Sequence, residues 1–282
     1  MEIKSFAKVN LYLEITGRRP DGYHDLISLM CLIDLHDTLR IEFNSAATQV
    51  SCSHPDVPEN ESNLAVKAAR HFFDAINRRD HVSIFIAKNI PVGAGLGGGS
   101  SNAAAVLCTL NHRYGAPLSM DALMDLGGKI GADVPFFIYG RPALATGIGD
   151  RMAPFDQLPD APIVLIYPGK PISTAEVYRK LNFGLTKTKK INTKITFRHI
   201  REKDITRILF NELEATAFAI NPEIADAKTV LLAQGAAGAL MSGSGSSVFG
   251  IYPDLESAHR AYMNIKGIHP HWEIYRSRLR VG

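Results

Sequence analysis

Residues 91–103 read PVGAGLGGGSSNA, and this stretch decides how the rest of the chain is interpreted. Five of these thirteen residues are glycine, which adopts positive φ without steric cost and lets a backbone turn several N–H groups toward one point. An alanine-rich segment follows, which predicts a helix from about residue 100 to 112. The free amides at the start of a helix carry partial positive charge. The stretch therefore predicts a binding site for the phosphates of a nucleotide.

Three kinds of phosphate-binding loop could account for this stretch. A P-loop ends in Gly-Lys-Ser/Thr, but here Gly99 is followed by two serines, which excludes it. Three glycines within 93–98 match the dinucleotide pattern G-x-G-x-x-G. However, the strand predicted at 82–86 ends too early, and the nearest downstream acid, Asp121, falls in a predicted helix. The third pattern, P-x-x-x-G-L-G-[SG]-[SG]-S, matches from Pro91 to Ser100. A plain surface loop needs neither a proline at one end nor a helix at the other.

Composition describes an ordinary soluble protein of 282 residues, 46% hydrophobic and 21% charged. No apolar run approaches the ~18 residues of a membrane helix, and no secretory signal is visible, so we expect a cytoplasmic protein without a membrane partner. Three cysteines without a C-x-x-C pair predict free thiols and no zinc site. The net charge of +3 suits an anionic substrate. The basic stretch 187–203 has few aromatic residues, so we interpret it as a solvated loop, not a nucleic-acid surface.

Alternating apolar residues near the N-terminus predict β-strands. The run at 7–15 predicts a strand with one buried face, and it places Lys8 and Asn10 as neighbours on the other face. Two more alternating runs, 29–35 and 39–43, predict a hairpin whose turn lies between them.

The remaining pattern mixes strands and helices without a regular β-α repeat, which predicts the α+β class. Asn63 is a predicted helix cap. Several prolines close together within 151–162 mark a change in composition. We therefore predict an N-terminal domain at 1–155 and a C-terminal domain at 156–282.

Two residues suit phosphoryl transfer, which needs charge compensation and a group that takes the proton of the attacking hydroxyl. Asp133 lies in the turn Gly-Ala-Asp-Val-Pro after a predicted helix and is the candidate base. Lys8 is the candidate cation, and a cation nearby keeps a carboxylate in the charged form that a base requires. Taken alone, Asp133 also fits a helix cap and Lys8 a solvated strand residue.

Several segments, in order along the chain, resemble one branch of the GHMP kinases (galacto-, homoserine, mevalonate and phosphomevalonate kinases). They are AKVNL at 7–11, RPDGYH at 19–24, the glycine loop at 91–103, GADVPF at 131–136, NELE at 211–214 and SGSG at 242–245. The branch phosphorylates a diphosphocytidyl derivative of methylerythritol in the non-mevalonate isoprenoid pathway. The Asp-Gly-Tyr-His segment at 21–24 is the most discriminating, because other GHMP kinases lack it near the N-terminus. The resemblance spans about residues 3–252.

The resemblance implies a fold and an activity. The fold is an N-terminal mixed β/α domain and a C-terminal ferredoxin-like α/β sandwich, with the active site in the cleft between them. The activity is ATP-dependent phosphorylation of the C2 hydroxyl of the methylerythritol moiety. Mg²⁺ is expected because phosphates need neutralising, with Ser100 or Ser101 as the candidate ligands. A homoserine- or mevalonate-type kinase, or a basic nucleic-acid-binding module, are the alternatives.

The resemblance also assigns residues to roles. It gives Lys8 and Asp133 as the catalytic pair and Asn10, Tyr23, His24 and Tyr178 as the substrate pocket, with cytosine held by stacking and hydrogen bonds. A turn histidine bonded to nearby backbone is the alternative for His24. The predicted ATP site comprises Asn63, Pro91, Val92, Gly93, Ala94, Gly95, Leu96, Gly97, Gly98, Gly99, Ser100, Ser101 and Asn102.

Overall fold

The structure, a computed structural model, describes residues 1–181 and 204–281. The whole basic stretch 187–203 lies outside these ranges, and its interpretation as a solvated loop stays a prediction. The described strands are β1 (Glu2–Arg18), β2 (His24–Phe43), β3 (Gln49–Cys52), β4 (Val82–Ala87), β5 (Ala143–Thr146), β6 (Arg151–Pro154), β7 (Pro162–Tyr167), β8 (Phe210–Asn211), β9 (Gly238–Met241), β10 (Val248–Ile251) and β11 (Glu273–Arg280). The described helices are α1 (Leu64–Ala75), α2 (Gly98–Arg113), α3 (Met120–Gly128), α4 (Val134–Tyr139), α5 (Thr174–Lys180), α6 (Glu214–Ile220), α7 (Glu223–Ala233) and α8 (Leu255–Ile268), with a 3₁₀ turn at Ile205–Ile208.

The strands confirm the α+β class. Their main order is β3-β4-β2-β11-β7-β10-β9, while β1 pairs with β2 and β8, and β5 pairs with β2 and β6. Strands β1 and β2 run antiparallel from the pair Glu2–Arg40 to the pair Arg18–His24. The last strand, β11, pairs with both β2 and β7, so it connects strands of the two predicted domains. The boundary near residue 155 stays a prediction.

Helices pack against the sheet in two buried clusters. In the first half, Phe72 of α1 and Leu107 of α2 pack with Ile84 of β4 in one buried cluster. In the second half, Leu231 of α7 packs with Val164 of β7 in another. Each large apolar side chain buried in this way contributes roughly 1.5–3 kcal/mol. In the part of the chain that the structure describes, no helix is both long and apolar enough to cross a bilayer.

The predicted hairpin between 29–35 and 39–43 is wrong, because His24–Phe43 forms one continuous strand. The polar pair His36-Asp37 looks like a turn in the sequence. In the structure Asp37 is fully buried, and its carboxylate forms an ion pair of 2.9 Å with Lys88. Asp37 therefore interrupts the apolar pattern because it belongs to a buried polar network, and not because the chain turns there.

The prediction that β1 buries only one face is also wrong. Lys8 and Asn10 are buried on the second face, and Tyr12 beside them is fully buried. The glycine loop covers part of this face, since the amide of Lys8 donates to the carbonyl of Leu96 at 3.0 Å. Both faces of β1 are therefore inside the protein, and its polar residues are enclosed.

Several local predictions are confirmed. Asn63 caps α1, because its side chain accepts from the amide of Ala65 at 2.9 Å. The predicted helix after the glycine loop is α2, which begins at Gly98. The turn at 131–135 leads into the short helix α4, which the apolar residues after Pro135 did not predict.

Candidate active site

A cleft of about 850 Å³ brings the predicted site residues together. Its walls come from β1, the start of β2, the glycine loop, the turn before α4, helix α5 and the loop between β9 and β10. The predicted residues that line it are Lys8, Asn10, Tyr23, His24, Asn63, 91–100, Asn102, Asp133 and Tyr178. Segments far apart in the sequence therefore face one enclosed space, and Ser101 is the single predicted residue that does not line it.

The glycine loop is held in shape by a second loop of small residues at 242–247. Gly93, Gly95 and Gly97 have φ of 67°, 78° and 70°, a region that favours glycine. The hydroxyl of Ser242 donates to the carbonyl of Gly95 at 3.0 Å. The amide of Ser247 donates to the carbonyl of Ala94 at 3.1 Å. A side chain at Gly95 has no room, since its Cβ would lie 2.2 Å from the carbonyl oxygen of Ser242.

The candidate acid and lysine form an ion pair inside the cleft. Lys8 Nζ lies 3.6 Å from Asp133 Oδ2, with the lysine side chain 5% and the aspartate side chain 37% exposed. Lys8 also donates to Asn10 Oδ1 at 2.6 Å, and Asn10 donates in turn to Ser28 Oγ at 2.7 Å. This chain of contacts fixes the ammonium while leaving the carboxylate partly open to a bound molecule.

The two alternative roles for this pair do not match its geometry. Asp133 precedes α4, but its side chain makes no capping hydrogen bond to that helix. Lys8 is enclosed and is not a solvated strand residue. The Cβ that a residue other than glycine would have at Gly97 lies 3.3 Å from Lys8 Cε, so the glycine loop directly adjoins the lysine.

Aromatic side chains occupy another part of the same cleft. The rings of His24 and Tyr178 have centroids 5.1 Å apart and planes tilted by 36°. Tyr23 is 59% exposed and follows a tight turn in which its amide donates to Asp21 Oδ1 at 3.1 Å. Burial and the nearby Asp133 carboxylate raise the pKa of the Tyr178 hydroxyl, which therefore stays protonated.

His24 has an electrostatic environment that favours its neutral form. Burial first, and the positive charge of Arg18 second, lower the pKa of the His24 imidazole below its ordinary value of 6.5. Arg18 is its direct partner in the β1–β2 register. A neutral imidazole has one donor and one acceptor nitrogen, which suits a ligand edge that carries both.

The two candidate metal ligands point in different directions. The hydroxyl of Ser101 donates to the carbonyl of Phe6 at 2.6 Å and accepts from the hydroxyl of Ser5 at 2.7 Å, so it faces β1. Ser100 lines the cleft, and its Oγ lies 3.7 Å from the Cβ position of Gly131, close to the turn that holds Asp133. Within residues 1–181 and 204–281 no group of three or more His, Cys, Asp and Glu could hold a metal.

Sequence reasoning missed several residues around the cleft. Lys88 and Thr174 both line it, and Thr174 Oγ1 lies 2.8 Å from Ser244 Oγ of the second small-residue loop. Lys88 lies three residues before Pro91, the first residue of the glycine loop, and this position was a signal that could have identified it. Thr174 carried no such signal, because its partner lies 70 residues away.

Comparisons with known proteins identify the family of this chain. A model of the N-terminal domain of GHMP kinases matches residues 63–141, and a model of their C-terminal part matches residues 197–267. The chain is 42% identical over 267 residues to the 4-diphosphocytidyl-2-C-methyl-D-erythritol kinase of Geobacter sp. (strain M21), covering 94% of each chain.

Solved structures show the same relationship. A crystal structure of 4-(cytidine 5'-diphospho)-2C-methyl-D-erythritol kinase matches with a TM-score of 0.85 and 35% identity over 100% of both chains. A homoserine kinase from Cytophaga hutchinsonii matches with a TM-score of 0.77 over 99% of this chain and 95% of its own, but at 17% identity it shares the fold alone. The chain belongs to the GHMP kinases and, within them, to the 4-diphosphocytidyl-2-C-methyl-D-erythritol kinases.

Proposed function

We propose that this protein uses ATP to phosphorylate the C2 hydroxyl of 4-diphosphocytidyl-2-C-methyl-D-erythritol. The observation that carries the proposal is the ion pair between Lys8 and Asp133, 3.6 Å long, in the same cleft as the glycine loop and the aromatic residues. Phosphoryl transfer needs a phosphate cradle, a cation and a proton acceptor close together. The printed name of the relatives supports the choice of substrate.

The glycine loop is the proposed site of the ATP phosphates. Positive φ at Gly93, Gly95 and Gly97 turns the loop backbone so that its amides can face one anion, and α2 adds the free amides of its first turn. When bound with ATP, Mg²⁺ supplies charge neutralisation on the phosphates. Ser100 is the protein ligand we propose for it, because its hydroxyl is on the cleft side and that of Ser101 is not. The side chain of Asn63 caps α1, and this bond fixes its position beside the proposed nucleotide site.

Asp133 is the proposed base. The C2 hydroxyl gives its proton to the carboxylate as its oxygen forms the new bond to the γ-phosphorus, while the bond from that phosphorus to the ADP oxygen breaks. Lys8 offsets negative charge on the carboxylate and on the transferring group, since it lies beside both the Asp133 carboxylate and the glycine loop. Asn10 holds the ammonium in that position.

The aromatic part of the cleft is the proposed cytidine site. The centroids of His24 and Tyr178 are too close for a third ring to enter between them, because one stacked pair already needs 4.5–7 Å. We therefore infer that cytosine stacks on the outside of this pair, and that the exposed ring of Tyr23 covers its other face. The neutral imidazole of His24 matches the donor and acceptor atoms of the cytosine edge.

A substrate panel tests the proposed activity. We expect ADP release from ATP to depend on 4-diphosphocytidyl-2-C-methyl-D-erythritol, with kcat/KM at least a hundredfold above that for homoserine, mevalonate or phosphomevalonate. The physical reason is that only the first compound carries a ring for the His24–Tyr178 pair. Methylerythritol without the cytidine diphosphate is the matched control. Equal turnover of homoserine would assign the cleft to another GHMP activity.

The pH dependence of substrate binding tests the role of His24. Because the pKa of its imidazole is lowered, the neutral form persists as the pH falls from 8 to about 6.5, and KM for the cytidyl substrate should stay constant there. At lower pH, KM should rise about tenfold per unit once the ring is protonated. The His24→Gln variant keeps a donor and an acceptor and should lose this dependence. A KM that already rises between pH 8 and 7 would contradict the assignment.

A further inference from the structure

One buried carboxylate, Asp37, touches both ends of the glycine loop. Before the loop, Asp37 Oδ1 accepts from the backbone amides of Asn89 and Ile90, each at 2.8 Å. Near the end of the loop, Asp37 Oδ2 accepts from the side-chain amide of Asn102 in α2 at 3.0 Å. The part of the glycine loop at 91–101 is thus closed at its base by a single side chain of β2.

The same carboxylate also holds a cation at the cleft. Lys88 Nζ lies 2.9 Å from Asp37 Oδ2 and also donates to the carbonyl of Ile90. The Lys88 side chain is 5% exposed and lines the cleft beside the first turn of α2, since the Cβ position of Gly98 lies 3.0 Å from its Nζ. Asp37 is fully buried and lies outside the cleft wall, so it cannot touch a bound nucleotide itself.

Asp37 makes more hydrogen bonds than an ion pair with Lys88 requires. An ion pair alone stabilises a buried lysine, but Asp37 additionally uses both oxygens for neutral donors on the two sides of the loop. Hydrogen bonds to a charged acceptor are stronger than those to a neutral one, so the tie restricts a glycine-rich segment that would otherwise be conformationally free. The loop would otherwise lose that freedom only when the nucleotide binds.

We propose that Asp37 is a positioning residue that keeps the nucleotide loop and Lys88 in the binding geometry before ATP arrives. The inference rests on the proposed function for its ligand, but it concerns the free protein and can be tested there. It predicts that removing the hydrogen bonds of Asp37 weakens ATP binding. Without them the loop becomes ordered only when ATP binds, and the entropy lost in that step lowers the affinity.

The test compares Asp37→Asn with the wild-type protein in two measurements. Calorimetric titration should give a Kd for ATP at least tenfold higher, and the KM for the phosphate acceptor should change less than twofold. Hydrogen exchange of the backbone amides at 92–101, without nucleotide, should be at least tenfold faster. A folded Asp37→Asn variant with Kd and exchange both within twofold of wild type would overturn the proposal.

Two further variants keep the test decisive. Asn102→Ala removes the tie to Asp37, together with the hydrogen bond from Asn102 to Ser5 Oγ, and leaves the Asp37–Lys88 pair intact. Because Asn102 also lines the cleft, its decisive readout is loop exchange without nucleotide, which should be faster than in the wild type even if Asp37→Asn fails to fold. Leu231→Ala, in the core of the second half, is the matched destabilising control, and it should leave the Kd for ATP and the loop exchange rate within twofold of wild type. If Leu231→Ala changed the Kd and the exchange rate as much as Asp37→Asn does, loss of general stability would explain the result and the proposal would fail. If the wild type itself did not bind ATP, the proposed function would fail, and loop exchange would still decide the role of Asp37.

Discussion

Replacing Asp133 with asparagine should lower kcat by about a hundred- to ten-thousandfold without unfolding the protein. Asparagine has the same volume but cannot take the proton of the acceptor hydroxyl. The fold should tolerate the change because Asp133 is partly exposed, makes no cap bond, and leaves Lys8 with its partner Asn10. The free energy of unfolding should fall by at most about 1 kcal/mol.

Steady-state kinetics with saturating ATP and acceptor, together with thermal unfolding, measure the two effects of the Asp133 substitution. Asp121→Asn is the matched control, since it makes the same chemical change at an exposed position in the first turn of α3. A kcat for Asp133→Asn within threefold of wild type would remove Asp133 from the role of base. A collapse of stability in the same variant would make the pair structural instead.

Replacing Gly95 with alanine should lower the free energy of unfolding by roughly 2–5 kcal/mol and abolish tight ATP binding. Two costs add. A φ of 78° strains any residue with a Cβ, and the new methyl group would lie 2.2 Å from the carbonyl oxygen of Ser242 and 2.9 Å from that of Gly245. Both neighbours are backbone atoms, so no rotamer change relieves the overlap.

Two other glycines separate these costs in denaturant titrations. Gly115 has a φ of 81°, and nothing lies within 4 Å of the position of an added Cβ. The Gly115→Ala variant therefore measures backbone strain alone, which should lower the free energy of unfolding by about 1–2 kcal/mol. Gly99→Ala lies in α2 with its nearest contact at 3.6 Å, so it should leave stability unchanged or raise it by up to about 1 kcal/mol. If Gly95→Ala were no worse than Gly115→Ala, the loop would not be clamped as described.

Local signals in the sequence predicted much of the site. The glycine loop before a helix, the cap at Asn63 and the polar residues of β1 each depend on neighbours within a few positions, and these elements lie where the pattern places them. The family resemblance linked Lys8 with Asp133, which periodicity alone could not do because they are 125 residues apart in the chain. Their individual roles remain predictions.

The errors came from partners distant in the sequence. Asp37 interrupts an apolar alternation, and its partners 51 or more residues later, among them Lys88 and Asn102, explain why it lies inside a strand. The second face of β1 looks polar in the sequence, but the loop that covers it begins some 80 residues downstream, as the contact of Lys8 with Leu96 indicates. A pattern over a few residues depends on neighbours in the sequence, and it carries no information on partners that are distant in the sequence.

The position of β11 after both of its partner strands in the sequence has a consequence for biosynthesis. Leu279 of β11 pairs with Ile33 of β2, and Tyr275 pairs with Leu165 of β7. On a ribosome, both partner strands leave the exit tunnel long before the residues that join them. The two halves can collapse separately during translation, but the join between them forms only once β11 itself has left the tunnel. Until then, these strand edges are open to pairing with other chains.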